Sequence, residues 1–409
     1  MKKGFLSQYF EAIVIKRLSA VEVDTERSNQ HEFNGTGPLK NLFGSERLNH
    51  YPVTFVWLGG DENEAFSEEG SITWYDARES NPARSAEWRL YFSSNGITDL
   101  ADEQDLLIVA RRPDRQIFMF VVQSDSTFEN QLLWLFDIEE AGKGFNYQAI
   151  EEGHNLKIDF AARRILEEAG IDVQEPDAAW LDSLIEPYIE KGFPTTREFS
   201  RLAEASVKDC DPINEPDLTL MQWVQQEEKL FKRLERYIVK NRLEVGFTSK
   251  GITDVDGFVQ FSLSVHNRRK SRAGHALENH LQRIFQRHDI KHSRGNVTEE
   301  KYKPDFLFPD IQDYRDAGFP SEKLTMLGVK STLKDRWRQV LAEAARIETK
   351  HLLTLEPGIS ESQTSQMKTQ KLNLILPQPL HETFKETQRS ELMDLSDFLT
   401  LVKKRQSSI

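Results

Sequence analysis

The hydrophobic pattern of this chain changes its period part-way along the sequence. From Phe5 to about Ile138, short apolar runs such as YPVTFVWLGG and QIFMFVVQ are separated by Gly, Asn and Pro, which is typical of strands in a barrel or a sandwich. From about Asp182 onward, apolar residues recur at helical spacing and strands stand singly between helices, which indicates an α/β layer with a mixed sheet. The pattern therefore predicts a multidomain chain, with an N-terminal β-rich domain followed by a C-terminal α/β domain.

The length of the chain is consistent with this division. Its 409 residues are enough for two domains that each bury a core of their own. We expect a β-rich domain over residues 1–165, a linker over 166–190 and an α/β domain over 191–409. The stretch DFAARRILEEAG, which begins at Asp159, predicts a helix near the first boundary.

Composition limits the classes of protein that fit. The net charge of −13 argues against binding nucleic acid with the whole surface. A local basic cleft is compatible with that charge, because salt screens charges over about 8 Å at physiological ionic strength. No apolar run is long enough for a membrane span, and the first residues lack a signal-peptide pattern. The single cysteine, Cys210, excludes an intramolecular disulfide and favours the reducing cytoplasm, where we expect the protein to act.

Two predicted strands of the second half carry residues suited to phosphodiester hydrolysis. Pro304 and Asp305 open the strand in KYKPDFLFPD, and Lys330 ends the strand in KLTMLGVKS. Hydrolysis of this kind needs Mg²⁺ held by carboxylates, and a nearby lysine can orient water or stabilise developing charge. Nucleases of the PD-(D/E)XK type place a second acid two residues before the lysine, but Gly328 stands there in this chain.

The missing carboxylate must come from another part of the chain. Glu343, on the helix predicted from DRWRQVLAEAARIE, is the first candidate, so that Asp305 and Glu343 would hold the metal. Glu278, beside the apolar stripe of the helix that precedes Asp305, is the second candidate. Taken singly, each residue has an ordinary interpretation: a Pro-Asp turn, a lysine at a strand end or a solvated glutamate. Their combination on successive predicted elements favours a nuclease.

The segment LKDRWRQ lies between the strand-end lysine and the core of that helix. An arginine can bond to two atoms on the major-groove edge of guanine, and an aspartate can accept from the amine of cytosine. Trp337 is expected to be a core anchor among polar residues. The segment predicts a compact reader of G·C pairs formed by Lys334, Asp335, Arg336 and Arg338. The alternative is a solvated helix start that is capped by the aspartate.

Three stretches resemble the catalytic domain of the EcoRII-like type IIE restriction endonucleases: NRRKSRAGHALENHL, KPDFLFP and GVKSTLKDRWRQVLAEA. In that family the glutamate missing before the lysine is supplied by the next helix. The resemblance therefore implies Asp305, Lys330 and Glu343 as the catalytic set, with Glu278 as an auxiliary acid. It also implies that a basic cluster lies against the DNA backbone: Arg268, Arg269, Lys270 and Arg272. Some relatives extrude the central base pair, and Trp223 would either stack on it or serve as a buried helix anchor.

The first half resembles the effector domain of the same family in VIKRLSA and FNGTGPLKNLFG. That domain is a DNA-binding pseudobarrel, which grips a second copy of the recognition site with two arms. The resemblance places one arm at Lys16, Arg17 and Ser19 and the other at Arg84, Trp88 and Arg89.

The resemblance implies a Mg²⁺-dependent type IIE endonuclease that cleaves double-stranded DNA at a CCWGG-like site. Its first domain is expected to cover the nuclease cleft until it binds a second site. A homodimer is expected, because one protein half then matches one DNA half-site, and a DNA methyltransferase is the implied functional partner. Two other classes stay open, namely a non-catalytic DNA-binding regulator and a repair or modification-dependent nuclease of the same fold. The intact catalytic set counts against the first, and the LKDRWRQ segment counts against the second.

Overall fold

The computed structural model describes residues 5–23, 31–59, 64–81, 83–150, 157–173, 178–249, 252–333 and 336–407. The chain divides into two units. The first contains Met1–Gln174 together with Pro357–Ser362, and the second contains Glu175–Glu356 together with Gln363–Ile409. In the described part of the chain, no helix is both long enough and apolar enough to cross a membrane.

The first unit is built on an eight-stranded sheet. Its strands are β1 (Ala12–Arg17), β2 (Glu32–Asn34), β3 (Leu48–Gly59), β4 (Glu64–Asp76), β5 (Trp88–Phe92), β6 (Leu106–Arg111), β7 (Ile117–Val122) and β8 (Asn146–Ala149). Their order across the sheet is β2-β5-β4-β3-β7-β6-β1-β8. Neighbouring strands are antiparallel, except that β3 and β7 run parallel. The β-rich first domain predicted from the sequence is confirmed.

The central strands of this sheet are apolar on both faces because each face packs against a core. In β1, Ala12 and Val14 belong to one core, whereas Ile13 and Ile15 belong to the other. The helices described in this unit are α1 (Ala20–Val23), α2 (Gly37–Phe43), α3 (Thr127–Leu135) and α4 (Phe160–Glu168). Helix α2 contributes to the first core, and helices α3 and α4 contribute to the second.

The sheet curls so that its two edge strands approach each other. In the described part of the sheet, β2 and β8 are not paired, but the rings of Phe33 in β2 and Phe145 beside β8 are 5.5 Å apart. The Lys16 ammonium lies 5.8 Å and 5.0 Å from the centres of the same two rings. The result is an open barrel, in agreement with the expected pseudobarrel.

The second unit begins with a helical layer. Its helices are α5 (Ala178–Ile189), α6 (Thr196–Ser206), α7 (Pro216–Val245) and α8 (Val255–Arg287), with β9 (Thr248–Ser249) and β10 (Ile252–Thr253) forming a short ribbon between the last two. Helix α5 occupies much of the stretch 166–190 that was expected from the sequence to be a linker. It is helical there because Leu181 and Ile185 form an apolar face, which packs with Phe199 and Leu230 of the neighbouring helices.

The rest of the second unit is a five-stranded mixed sheet with helices. The strands, in their order across the sheet, are β11 (Ser293–Arg294), β12 (Phe306–Phe308), β13 (Thr325–Lys330), β14 (Lys350–Thr354) and β15 (Leu372–Ile375). The first three are antiparallel neighbours and the last three are parallel. The helices are α9 (Ile311–Arg315), α10 (Trp337–Leu341), α11 (Glu361–Thr369), α12 (Glu386–Arg389) and α13 (Leu395–Ser407). The predicted α/β second domain with a mixed sheet is confirmed.

Helix α8 packs on this sheet through the apolar stripe predicted from the sequence. Leu281 and Phe285 of that stripe are fully buried. The Phe285 ring meets the rings of Phe306 and Phe308 edge-on, with centres 5.1 Å and 5.2 Å away. This aromatic contact holds β12 against the helix, and Asp305 directly precedes that strand.

Helix α10 is much shorter than the sequence pattern predicts. The helix expected over DRWRQVLAEAARIE is limited to Trp337–Leu341, and Ala344 has a left-handed backbone with φ 51°. Ala344 and Ile347 are buried, because the chain continues as a packed turn. Glu343 therefore stands on this turn and not on a helix.

Candidate active site

Asp305 and Lys330 meet where β12 and β13 lie side by side. The antiparallel register places Asp305 opposite Gly328, on the same face of the sheet as Lys330. The Lys330 ammonium is 3.2 Å from Asp305 Oδ2, and the N–H of Val329 donates to the same oxygen at 2.7 Å. The structure thus brings together the first two residues of the predicted catalytic set.

Gly328 has no room for a side chain. A Cβ atom at this position would lie 2.9 Å and 3.0 Å from the two Cγ atoms of Val340 in α10. Contacts this short would force the neighbouring atoms apart. Packing therefore excludes the acid that PD-(D/E)XK nucleases carry two residues before the lysine, and α10 occupies that face of the sheet instead.

Glu343 follows α10 and lies near Asp305 and Lys330. Its side chain is buried, and its Oε2 has no hydrogen-bond partner among the described residues. Burial, and then repulsion from Asp305, raise the pKa of Glu343 to about 7, whereas the charges of Lys330 and Lys350 oppose this shift. The predicted set of Asp305, Lys330 and Glu343 is therefore close enough for each charge to act on the others.

Asp305 and Glu343 fit a divalent cation. A buried carboxylate oxygen without a partner is costly, and a cation beside it would bind that oxygen and offset the repulsion between the two acids. Among the residues that the structure describes, no group of three or more His, Cys, Asp or Glu side chains is placed to hold a metal ion. Two carboxylates are sufficient for Mg²⁺, because this ion usually keeps several of its water molecules.

Glu278 is close to this site but already has a cationic partner. Arg294 in β11 binds its carboxylate with Nε at 3.0 Å and Nη2 at 2.9 Å. The next residue, Gly295, donates its N–H to the carbonyl of Asp305 at 3.0 Å. Both arginine N–H groups bond to Oε2 of Glu278 and therefore compete with a metal ion for that oxygen. The geometry therefore favours Glu343 over Glu278 as the second metal ligand.

The predicted base-reading segment, residues 333–339, is described only in part. Lys334 and Asp335 lie outside the described residues. Arg336 is exposed, and its guanidinium donates to the Thr332 hydroxyl at 2.8 Å. This arginine is therefore accessible to a ligand at the start of α10.

Arg338 is the second exposed arginine of the base-reading segment. Its guanidinium lies 4.8 Å from the centre of the Trp337 ring and donates to the Gln366 side chain at 3.1 Å. Trp337 itself is buried, as expected of a core anchor. The two arginines are thus presented at the surface by a helix that is fixed through its tryptophan.

A known protein family matches the part of the chain that contains this site. The family described as EcoRII C terminal matches residues 231–399, a range that includes Asp305, Lys330 and Glu343. This part of the chain is similar to the C-terminal domain of EcoRII. The type II restriction enzyme EcoRII of Escherichia coli is 42% identical to the chain over 186 residues, and this match covers 45% of the chain and 45% of EcoRII. The match thus spans less than half of that relative.

Solved structures show a more distant likeness. Metal-depleted Ecl18kI in complex with uncleaved, modified DNA has a TM-score of 0.45 and 17% identity, over 57% of this chain and 85% of the Ecl18kI chain. The restriction endonuclease PspGI in complex with substrate DNA has a TM-score of 0.43 and 13% identity, over 54% of this chain and 96% of the PspGI chain. The similarity to the EcoRII C-terminal family depends on the sequence matches and not on these structures.

The basic cluster predicted from residues 268–272 is partly committed to internal contacts. Arg269 binds the buried Glu235 carboxylate of α7, with nitrogen–oxygen distances of 2.6 Å and 2.5 Å. Arg268 lies 4.8 Å from the centre of the Phe193 ring, and Lys270 is exposed. Of these three residues, Lys270 is the one whose position agrees best with the expected contact to a DNA backbone.

Arg272 has a structural position. Its guanidinium donates to the carbonyl of Pro194, and burial lowers its pKa. The guanidinium carbon lies 4.9–5.6 Å from the centres of three aromatic rings, those of Phe193, Phe199 and Phe231. These contacts hold the side chain inside the helical layer, which does not agree with the expected contact to DNA.

The first predicted arm of the β-rich unit is held by internal ion pairs. Lys16 is buried and bonded to the Glu22 carboxylate, which also accepts from the Ser19 hydroxyl at 2.7 Å. Arg17 is paired with Glu129. In this arrangement the cations of the arm are neutralised by carboxylates of the same unit.

The second predicted arm contains one exposed cation. Arg89 is paired with Glu87, and Trp88 stacks on the ring of Trp74 with centres 5.0 Å apart. Arg84 is exposed in the turn that precedes β5. Among the cations predicted for the two arms, Arg84 is the most accessible to DNA.

Trp223 is a buried helix anchor. It is 6% exposed, and its ring lies 5.7 Å from that of His280, centre to centre. The alternative of stacking on an extruded base does not agree with this burial.

Sequence reasoning missed two buried charges near the site, Lys350 and Glu356. Lys350 begins β14 and acts on the pKa of Glu343. Glu356 accepts from the N–H of Leu333, at the base of the base-reading segment. The sequence does contain a signal for these two residues, because the apolar run KHLLTLE carries a charged residue at each end. Charged residues are seldom buried without a partner, so such a pair at the ends of a buried strand indicates bonded charges.

The raised pKa of Glu343 predicts a pH-dependent loss of stability when no divalent cation is present. Below the ordinary glutamate pKa of 4.5, the carboxyl is protonated in the folded and the unfolded protein. As the pH rises towards about 7, the unfolded chain loses this proton and the folded protein keeps it, so the free energy of unfolding falls. Glu343→Gln should therefore melt several degrees above wild type at about pH 8 in EDTA, and this difference should shrink towards pH 4.5.

A matched control is Glu322→Gln, which removes an acid at an exposed position of the same unit and should melt like wild type. Equal melting temperatures of wild type and Glu343→Gln at about pH 8 would contradict the raised pKa.

Proposed function

We propose that this protein is a Mg²⁺-dependent endonuclease that cleaves double-stranded DNA at a specific site. The observation that carries the proposal is the meeting of Asp305, Lys330 and Glu343, with one Glu343 oxygen buried and unpartnered among the described residues. The match to an EcoRII-type C-terminal domain supports the same function.

Each of the three residues has a separate role in this proposal. Asp305 and Glu343 would hold Mg²⁺, which when bound polarises the phosphate and lowers the pKa of a water molecule. The N–H of Val329 fixes the Asp305 carboxylate, so little reorganisation is needed at this ligand. Lys330 places its ammonium beside the same carboxylate, where it can orient the attacking water and stabilise negative charge on the phosphate.

The proposal predicts that Asp305→Ala and Lys330→Ala each lower cleavage of an unmethylated plasmid by at least about a hundredfold, because each removes a charge used at the phosphate. Binding to the cognate duplex, measured without Mg²⁺, should persist because neither residue contacts a base. Asp313→Ala is the control, since this acid of the same unit pairs with Lys291. Cleavage by either alanine variant at the wild-type rate would show that the metal site lies elsewhere.

Two further variants test which of the two candidate acids, Glu343 or Glu278, is the second metal ligand. Glu343→Gln should remove most activity, whereas Glu278→Gln should retain more, because Arg294 already binds Glu278. The reverse order of activities would make Glu278 the second ligand. A wild-type protein that cuts no unmethylated DNA with Mg²⁺ would refute the nuclease function itself.

We further propose that the base-reading segment recognises the G·C pairs of a CCWGG-like site through Arg336 and Arg338, together with Lys334 and Asp335. Both arginines are exposed. The bonded partner of Arg336 among the described residues is the neutral hydroxyl of Thr332, so its charge stays available for the acceptor atoms of guanine.

Arg336→Ala is expected to reduce discrimination at one G·C pair by about 1–3 kcal/mol, the usual value of a two-atom arginine–guanine contact. Affinities for the cognate duplex and for duplexes with single substituted pairs measure this effect. Arg315→Ala is the control, because this exposed arginine of the same unit donates to the carbonyl of Val297. If Arg336→Ala instead weakens binding equally on every duplex, its contact is to phosphate.

The proposal extends to assembly and cellular context. A homodimer would match a two-fold symmetric site, with one subunit for each half-site. A DNA methyltransferase that modifies the same site would protect the cell's own DNA. The single cysteine is consistent with action in the reducing cytoplasm.

We propose that the β-rich unit binds a second copy of the site and that this binding stimulates cleavage. Its curled sheet and the exposed Arg84 support a DNA-binding role. Stimulation requires that effector DNA favours the active arrangement over the inactive one by a coupling free energy.

This regulation predicts that a plasmid with one site is cut slowly and that an added duplex carrying the site accelerates cleavage. Arg84→Ala should reduce the acceleration, since it removes the accessible cation of the predicted arms. Arg47→Ala, at an arginine paired with Glu79, should not. Equal rates on plasmids with one and two sites, with no effect of added duplex, would leave the β-rich unit without this role.

A further inference from the structure

The turn that follows α10 determines where Glu343 stands. Its residue Ala344 has φ 51°, a left-handed backbone that residues with side chains rarely adopt. Ala344 is also buried, so the backbone groups of the turn need partners inside the protein. Such a conformation persists only where the surrounding structure fixes it.

Lys350 satisfies two carbonyls of this turn. It is the first residue of β14, and it is 6% exposed. Its ammonium donates to the carbonyl of Ala344 at 2.7 Å and to that of Ile347 at 2.6 Å. A buried ammonium is costly unless its N–H groups are bonded, so the interaction fixes both the lysine and the turn.

Glu299 and Tyr314 bind the following residues of the same turn. The Tyr314 hydroxyl lies 2.6 Å and 2.7 Å from the two Glu299 oxygens, and it accepts from the N–H of Arg346 at 3.3 Å. The N–H of Ala345 also bonds to the Glu299 carboxylate. The backbone is therefore held by side chains at three successive residues, 344–346.

We propose that Lys350 is a positioning residue of the metal site: by holding the turn at Ala344 and Ile347, it fixes the Glu343 carboxylate beside Asp305. This inference rests on the proposed function, which assigns Glu343 to the metal. In this role Lys350 contacts neither DNA nor metal and acts through the backbone of the turn. Its charge separately opposes the raised pKa of Glu343. A lysine that only stabilised the fold would change the melting temperature, but it would leave the metal requirement of the folded protein unchanged.

The experiment compares Lys350→Met, Lys350→Arg and a control, Lys371→Met, in the full chain. Methionine has a similar length and no N–H donor, whereas arginine keeps the charge and the donors. Lys371 precedes β15 and pairs with Glu348, and its side chain is 62% exposed. Loss of an outer residue that orients a metal ligand usually lowers metal affinity or activity by about 10–100-fold.

The first readout is the Mg²⁺ concentration that gives half-maximal cleavage. It should rise at least about tenfold in Lys350→Met, be partly restored in Lys350→Arg and stay at the wild-type value in Lys371→Met. Binding to the cognate duplex without metal should be the same in all four proteins, because the base-reading segment is unchanged. A folded Lys350→Met protein with the wild-type Mg²⁺ midpoint would overturn the inference.

The second readout is Mn²⁺ binding in the absence of DNA, measured from the electron paramagnetic resonance signal of the free ion. Lys350→Met should bind Mn²⁺ at least about tenfold more weakly than wild type. If the wild-type protein binds Mn²⁺ but cuts no DNA, the proposed nuclease function is wrong. The role of Lys350 is then still tested by comparing the Mn²⁺ affinities of wild type and Lys350→Met. If Lys350→Met does not fold, Glu299→Gln replaces it, since it weakens the other contacts of the turn and should shift Mn²⁺ binding in the same direction. Unchanged Mn²⁺ affinity in the folded variant, or no Mn²⁺ binding by wild type, overturns the inference.

Discussion

Val340 packs against the bare backbone of Gly328, with both Cγ atoms at about 3 Å from the place where a Cβ would stand. This contact seats α10 on the face of the sheet that carries Asp305 and Lys330. A helix at this distance brings the residues that follow it over the same two side chains, and Glu343 is among them. The contact between Val340 and Gly328 therefore excludes an acid at position 328, and it also brings Glu343 to the site in its place.

Glu343 differs from three other charged residues near the site, each of which has a bonded partner. Arg294 binds Glu278, and the carbonyls of one turn bind Lys350. Glu356 accepts from the backbone of Leu333. Glu343 instead retains a buried oxygen without a partner among the described residues. An unsatisfied buried carboxylate opposes folding, and a cation bound by Glu343 would offset this cost, as the proposed function requires.

Asp305 and Lys330 could be predicted from the sequence because both stand at the ends of apolar strands, and adjacent strands bring such ends together. Glu343 is also the first candidate from the sequence for the missing carboxylate, and the family resemblance implies the same residue. Its place on a turn could not be predicted, because helical spacing continues through that turn and does not show where α10 ends. The turn that follows α10 is held by the Lys350 ammonium, which binds the carbonyls of Ala344 and Ile347, and helix propensity does not encode this side-chain contact. The partners of the basic residues could not be predicted from the sequence either. Arg269 has the charge expected of a DNA contact, but it is paired with a buried carboxylate of another helix.

The exclusion at Gly328 also has an evolutionary consequence. A glutamate restored at this position would collide with Val340, and a loss of Glu343 alone would leave one carboxylate at the site. Each of these single substitutions is therefore unfavourable, and a change from one arrangement to the other also requires a smaller side chain at Val340. Position 328 should accordingly vary little among proteins that share this arrangement, although it contributes no side chain to the chemistry.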